Sequence, residues 1–189
     1  MIAVVFVDVE TDFLLNGPYF VTTIEDVNGF RLKDKFVEFA LKCRSLGFQL
    51  FATVENGSSM LPELIKDELG SPIIPKGHII TKTTFADAKL ARTIKECFDH
   101  LQEKRDCIFV CGIRTSLCVL SNTVFLNSLL PSDKIAIIPD LCADYTKDKT
   151  DTAINALKNL GILTTMSDKI VSQSDRSLHL THYHIKEPN

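Results

Sequence analysis

The chain predicts an α/β fold: a three-layer, doubly wound sandwich around a six-stranded parallel sheet in the order 3-2-1-4-5-6. Three observations carry that expectation. Short apolar runs of strand length alternate with amphipathic helical stretches along the whole chain. The runs are β-branched and aromatic without an obvious polar face, as strands buried on both sides of a parallel sheet are. No Pro/Gly/Ser-rich linker, internal repeat or low-complexity segment divides the 189 residues, so one domain is expected.

The first strand is Ile2 to Val7, and it ends in Asp8-Val9-Glu10-Thr11-Asp12-Phe13. A carboxylate just past the carboxyl end of a buried strand either caps the next loop or belongs to a site, because ligands of open α/β sheets lie in that crevice. Residues 14–30 hold Asn16-Gly17-Pro18 and Asn28-Gly29 without helical or strand period and read as a loop walling a substrate pocket. Leu32 to Leu46 repeats apolar residues at helical spacing and stops at Gly47. Phe48 to Val54 is the second strand, followed by Glu55-Asn56-Gly57-Ser58-Ser59 and a short helix around 61–69. His78 to Thr81 is a short third strand that ends at Lys82. A helix over about 86–103 follows, with apolar positions 90, 91, 94, 98 and 101. The fourth strand, Cys107 to Cys111, stops at Gly112 and leads through Arg114-Thr115-Ser116 into a helix that runs to about Leu130. Lys134 to Ile138 is the fifth strand and ends at Pro139-Asp140; Thr150 to Leu160 is the last main helix and Ile162 to Met166 the sixth strand.

In that order of strands the first and fourth are neighbours at the switch point, so Asp8 and Cys118 share one crevice, within reach of Lys82. Cys118 falls in the first turn of its helix, where the macrodipole and unpaired N–H groups favour a thiolate. It reads either as a nucleophile or as a small apolar residue under the sheet. Thr115 reads as an N-cap or turn residue.

The net charge of −3, with signs interspersed, offers neither a basic stripe for nucleic acid nor a polybasic segment for a membrane. The N-terminal apolar run breaks at Asp8 and is too short for a signal peptide or a span, so a cytoplasmic protein is expected. Six cysteines without CxxC or paired zinc spacing read as reduced, mostly buried thiols. No GxGxxG follows the first strand and no GxxxxGK[ST] occurs, which removes support for dinucleotides and NTPs. His179, His182 and His184 read as chance members of a polar tail, and no metal is assigned.

Three patches, Val7-Asp8-Val9-Glu10-Thr11-Asp12-Phe13, Lys82-Thr83-Thr84-Phe85-Ala86 and Gly112-Ile113-Arg114-Thr115-Ser116-Leu117-Cys118-Val119, give the chain a resemblance to the isochorismatase-like cysteine hydrolases, relatives of nicotinamidase and N-carbamoylsarcosine amidase. The resemblance covers residues 1–167 and leaves 168–189 as a C-terminal tail long enough to pack on a neighbouring subunit of a homo-oligomer.

That resemblance implies Cys118 as nucleophile, Asp8 as proton acceptor and donor, and Lys82 as their charge partner. It implies an oxyanion hole from the backbone N–H groups of Arg114 and Cys118, aimed by a cis peptide between Ile113 and Arg114. Phe13 and Arg114 would line the substrate pocket, and Asp12 would organise the loop.

Two departures bear on the substrate. Glu10 stands where the family pattern usually has Gln, which brings an extra acid near Asp8. The Asp-x-His-x-x-x-His cluster of metal-dependent nicotinamidases has no counterpart in Val54-Glu55-Asn56-Gly57, so nicotinamide is disfavoured and no cofactor is expected.

The expected function is therefore cofactor-independent hydrolysis of a C–N bond in a small amide or ureido compound through a Cys118 thioester. An isochorismatase-type vinyl-ether hydrolase, which would not need Cys118, and a catalytically silent oligomeric scaffold are the alternatives.

Overall fold

The computed structural model describes residues 1–14, 29–102, 106–131 and 133–170. Its sheet has six parallel strands in the order β3-β2-β1-β4-β5-β6. These are β1 (Ile2–Val7), β2 (Gln49–Glu55), β3 (Ile79–Lys82), β4 (Cys107–Ile113), β5 (Ile135–Ala143) and β6 (Leu163–Thr164). The helices are α1 (Thr11–Leu14), α2 (Gly29–Ser45), α3 (Pro62–Ile65), α4 (Ala88–Leu101), α5 (Leu120–Leu129) and α6 (Lys147–Asn159). The expected three-layer sandwich and strand order are thus those of the molecule.

Burial explains the order. Every residue of β1 and β4 is buried, as the two central strands of a sheet covered on both faces must be. Phe6 of β1 meets Phe36 and Phe39 of α2 with ring centroids 6.4 and 6.2 Å apart, which fixes that helix on the sheet. Helices α4, α5 and α6 pack side by side as a second group, as successive right-handed crossovers from β3 to β6 require. Helix α4 buries Leu90, Ala91, Ile94 and Phe98, begins where the Asp87 carboxylate accepts the Lys89 N–H at 2.8 Å, and ends at a left-handed Gln102. The Thr146 hydroxyl caps α6 in the same way.

Several boundaries differ from the sequence reading. Thr11–Leu14, which spans the end of the first strand's motif and the first residue of the expected loop, is one helical turn whose Phe13 and Leu14 are buried. Of the expected pocket-wall loop over 14–30, 15–28 lies outside the described residues, as do the tail histidines, and residues 29 and 30 already belong to α2. Strand β5 runs past Pro139 to Ala143, because the pairing with β4 breaks between Val110 and Gly112 and resumes at Gly112 opposite Cys142. Pro139, which has no N–H to give a ladder, sits in that irregular stretch. Helix α6 starts three residues earlier than the apolar period suggested, because its polar first turn, Lys147-Asp148-Lys149, is set by the Thr146 cap. Of the expected tail, 168–170 is described, and Ile170 is fully buried against the core.

Candidate active site

Three strand ends meet at the switch point. Strands β1, β2 and β3 finish at Val7, Glu55 and Lys82, and the β2–β3 register places Glu55 directly opposite Lys82. Asp8 follows β1 in a left-handed conformation (φ 49°), and its N–H still reaches Thr53 O at 3.1 Å. Its Oδ1 accepts a 2.7 Å hydrogen bond from the Thr53 hydroxyl, and its Oδ2 lies 2.7 Å from Lys82 Nζ. Both charged side chains are completely buried. Burial alone would drive the Lys82 amine toward neutrality, but the hydrogen bond and charge of Asp8 outweigh it and hold the ammonium above its usual range.

The fourth strand delivers the thiol. Gly112 is obligatory there: with φ 139°, a Cβ would stand 2.1 Å from Val7 O on the adjacent strand. The chain then turns through Arg114 (φ 52°, ψ 76°) into a π-helical turn, Thr115–Val119, before α5 begins. The expected cis bond between Ile113 and Arg114 is not what makes this turn: the described peptide bonds are trans, and left-handed Arg114 reverses the chain instead. Nor does Thr115 cap it. The buried Asp144 carboxylate, past the end of β5, accepts both the Ser116 N–H (2.7 Å) and the Ser116 hydroxyl (2.6 Å), so the cap comes from another strand. Leu117 and Val119 both donate to Arg114 O, which leaves Cys118 between two fixed N–H groups.

Cys118 Sγ lies 3.7 Å from Lys82 Nζ and 3.8 Å from Glu55 Oε1. Asp8, Glu55 and Cys118 each offer a ligand atom within 4.8 Å of the others, the spacing of a cation site. Lys82 Nζ stands among them, 4.0 Å from Glu55 Oε1, and supplies that cation itself. The expected thiolate-favouring setting is reversed. Burial pushes the Cys118 thiol well up, the charge and hydrogen bond of Asp8 push it further, and Lys82 only partly opposes them. The helix-terminus effect, small and confined to a first α-turn, is lost against two carboxylates and a dry site. Burial likewise raises Cys43, Cys107 and Cys142 to about 12, so Cys118 is set apart by charged neighbours and not by acidity.

Other side chains complete the surroundings. Asn122, one turn along from Cys118, donates through Nδ2 to Cys118 O and Phe85 O, both at 2.8 Å, and so ties the 83–86 loop to the nucleophile's helix. Glu10 is buried; its Oε1 accepts the Glu55 N–H at 2.6 Å, and burial raises its carboxyl from 4.5 to about 7, helped by the Asp8 charge. A cleft of about 560 Å³ opens beside the cluster, lined by Glu55, Asn56, Lys82, Thr83, Thr84 and Phe85. Phe13 is packed in the hydrophobic core, and the Arg114 guanidinium lies over the Tyr145 ring at 4.8 Å. Glu55, Thr53 and Asn122 are the members of this region that the sequence reading missed. Glu55 carried a usable signal, because it stands at a strand end just as Asp8 and Lys82 do.

The model of the isochorismatase domain matches residues 2–168. The chain belongs to the isochorismatase family. A ribonuclease from Caenorhabditis elegans, MAR1, shares the fold with a TM-score of 0.64 at 19% identity, over 93% of this chain and 84% of that one. The zinc-complexed pyrazinamidase of Pyrococcus horikoshii superposes with a TM-score of 0.61 at 17% identity, over 87% and 98%. YcaC of Escherichia coli, an octameric hydrolase of unknown specificity, gives 0.62 at 16% identity, over 87% and 74%. No curated protein matches the chain in sequence. Within this isochorismatase-family fold, the clustered Asp8, Lys82 and Cys118 have the arrangement of a cysteine-nucleophile hydrolase acting on a small substrate. Among the described residues no helix is long and apolar enough to cross a membrane.

Proposed function

We propose that the protein hydrolyses a C–N bond of a small amide or ureido compound through a Cys118 thioester, without a cofactor. One observation carries the reading: the buried ammonium of Lys82 lies 2.7 Å from Asp8 and 3.7 Å from Cys118. The thiol proton passes to Asp8 as Sγ attacks the carbonyl carbon. Negative charge then moves from Asp8 to sulfur and the forming oxyanion without leaving the neighbourhood of Lys82, so a thiol that rests protonated is activated only as the bond forms. Collapse of the tetrahedral adduct breaks the C–N bond, and Asp8 returns the proton to the departing nitrogen. Water then adds to the thioester as Asp8 takes a proton from it, and the acid leaves as that proton returns to sulfur.

The N–H groups of Arg114 and Cys118 are the proposed oxyanion donors, each typically worth roughly 3 to 4 kcal/mol. Phe13 and Arg114 remain our proposed pocket residues, Arg114 through its place at the turn and Phe13 through its place two residues into the α1 turn that follows Glu10. We take 1–167 as the catalytic domain and 168–189 as a tail that meets a neighbouring subunit. A homo-oligomer is favoured by the octamer of E. coli YcaC and by Phe125 and Leu129, exposed one turn apart on α5. Six free cysteines suit a reducing compartment such as the cytoplasm.

The test is a panel of small amides and ureides, with ammonia release measured for wild type, Cys118→Ala and Asp8→Asn. The reading requires turnover by wild type and loss in both variants. Vinyl-ether hydrolysis that survives Cys118→Ala would replace it with the isochorismatase reaction, and assembly without any turnover would replace it with a scaffold.

A further inference from the structure

Glu55 is a carboxylate that the catalytic cycle above does not use. Its Oε1 lies 3.8 Å from Cys118 Sγ and 4.0 Å from Lys82 Nζ, while its side chain keeps 40% exposure and lines the cleft. Lys82 has its short contact, 2.7 Å, with Asp8, so Glu55 is a distant third partner of that ammonium. Its backbone is held on two sides: the Glu55 N–H donates to Glu10 Oε1 at 2.6 Å, and the adjacent Asn56 N–H donates to Lys82 O at 2.9 Å. The backbone at the cleft mouth is therefore held, and among the described residues the Glu55 carboxylate has only the long contacts to Cys118 and Lys82.

Charge decides what that side receives. The described walls of the cleft are Glu55, Asn56, Lys82, Thr83, Thr84 and Phe85, and Lys82 is their only cation, already matched by Asp8. Transfer of the thiol proton to Asp8 does not alter the sum, because sulfur gains the charge that Asp8 loses. Among the described residues, and with Glu10 protonated, one negative charge stays uncompensated through that transfer, next to the attacking atom, in a setting less screened than bulk water. The Arg114 guanidinium lies over the Tyr145 ring.

We propose that Glu55 is a specificity-determining residue, and that the substrate is a small carboxamide carrying a protonated amine a short spacer away from the scissile carbonyl. This deepens the amide-hydrolase reading and rests on it. The separation between Glu55 Oε1 and Cys118 Sγ is short enough for one such molecule to place its ammonium on the carboxylate and its carbonyl over the sulfur together. Small anionic amides would meet Glu55 as a like charge.

The experiment uses a matched pair of probes, β-alaninamide and butanamide, which differ in an ammonium against a methyl group. Dissociation constants are measured by calorimetry on the full-length Cys118→Ala protein and on Cys118→Ala/Glu55→Gln, and ammonia release is followed with wild type. We expect β-alaninamide to bind at least about tenfold more tightly than butanamide, and Glu55→Gln to collapse that ratio toward one. That result upholds Glu55 as the selector even where wild type hydrolyses neither probe, and the hydrolase reading fails separately, if no member of the amide and ureide panel is turned over. Equal binding of the two probes, binding of neither, or a preference that survives Glu55→Gln overturns the assignment, whether or not ammonia is released. Circular dichroism of the double variant guards against a fold defect, and Glu55→Asp, which keeps the charge, should retain the larger part of the preference.

Discussion

Glu10→Gln tests the electrostatics of this site with the fewest atoms changed. The Glu10 carboxyl is buried, its Oε1 accepts the Glu55 N–H, and neither that bond nor the Ser58 hydroxyl offsets the loss of water around it. Burial raises it from 4.5 to about 7. The sign follows from which state holds the proton. Below 4.5 the folded and unfolded chains are both protonated there and the group contributes nothing. Between 4.5 and about 7 the unfolded chain releases its proton while the folded chain keeps it, so stability falls as pH rises. Above about 7 both are ionised and the fold carries the whole penalty, which at about 1.4 kcal/mol per pH unit is about 3 kcal/mol. Glutamine imitates the protonated acid: its amide oxygen accepts the Glu55 N–H and its shape is unchanged. Urea denaturation across pH should therefore show the two proteins alike near pH 4.5, and Glu10→Gln more stable by about 2 to 3 kcal/mol near pH 8. For a chain of this length that is a rise in Tm of about 5 to 10 °C. Parallel stability curves, or a variant less stable at high pH, would refute the argument that Glu10 is a desolvated acid.

Asp8→Asn should separate thiol acidity from catalysis. With the Asp8 charge gone, the Cys118 thiol ionises at lower pH, so the alkylation midpoint falls while turnover is lost; a midpoint that rises or stays put contradicts the attribution to Asp8. Lys82→Met leaves Asp8 buried without its cation and is expected to cost about 3 to 5 kcal/mol in chemical denaturation, much of it recovered in Lys82→Met/Asp8→Asn. Gly112→Ala forces a Cβ to 2.1 Å from Val7 O and should prevent soluble folding, which a normal circular dichroism spectrum and yield would disprove. Asn122→Ala releases Phe85 O and Cys118 O, and is expected to lower stability by about 1 to 2 kcal/mol and to raise KM more than it lowers kcat.

The legible parts of this molecule were those written in local pattern. Continuous β-branched runs and helical period mark all six strands, and the strand order alone puts Asp8 and Cys118 in one crevice with Lys82 within reach. What local pattern could not carry was long-range. The cap on the Cys118 turn comes from Asp144, 28 residues away from Ser116, whereas local pattern points to the adjacent Thr115. The acidity of Cys118 is not legible locally, because a helix terminus is visible in one dimension, whereas burial and the charges of Asp8 and Glu55 are not. Glu55 reads locally as a loop opener because it ends its strand in a Glu-Asn-Gly turn. Strand β5 was cut short at Pro139, since a bulge that tolerates proline depends on its neighbour strand.

The central claim is a covalent intermediate on one of six thiols, and peptide-mapping mass spectrometry tests it most directly. Wild type is mixed with each member of the amide and ureide panel, quenched with acid within seconds, and digested for peptide mapping. An acyl adduct on the Cys118 peptide, absent from Asp8→Asn and cleared on further incubation, is the predicted result. Product formed at full rate with no adduct on Cys118, or turnover that persists in Cys118→Ala, would contradict the account.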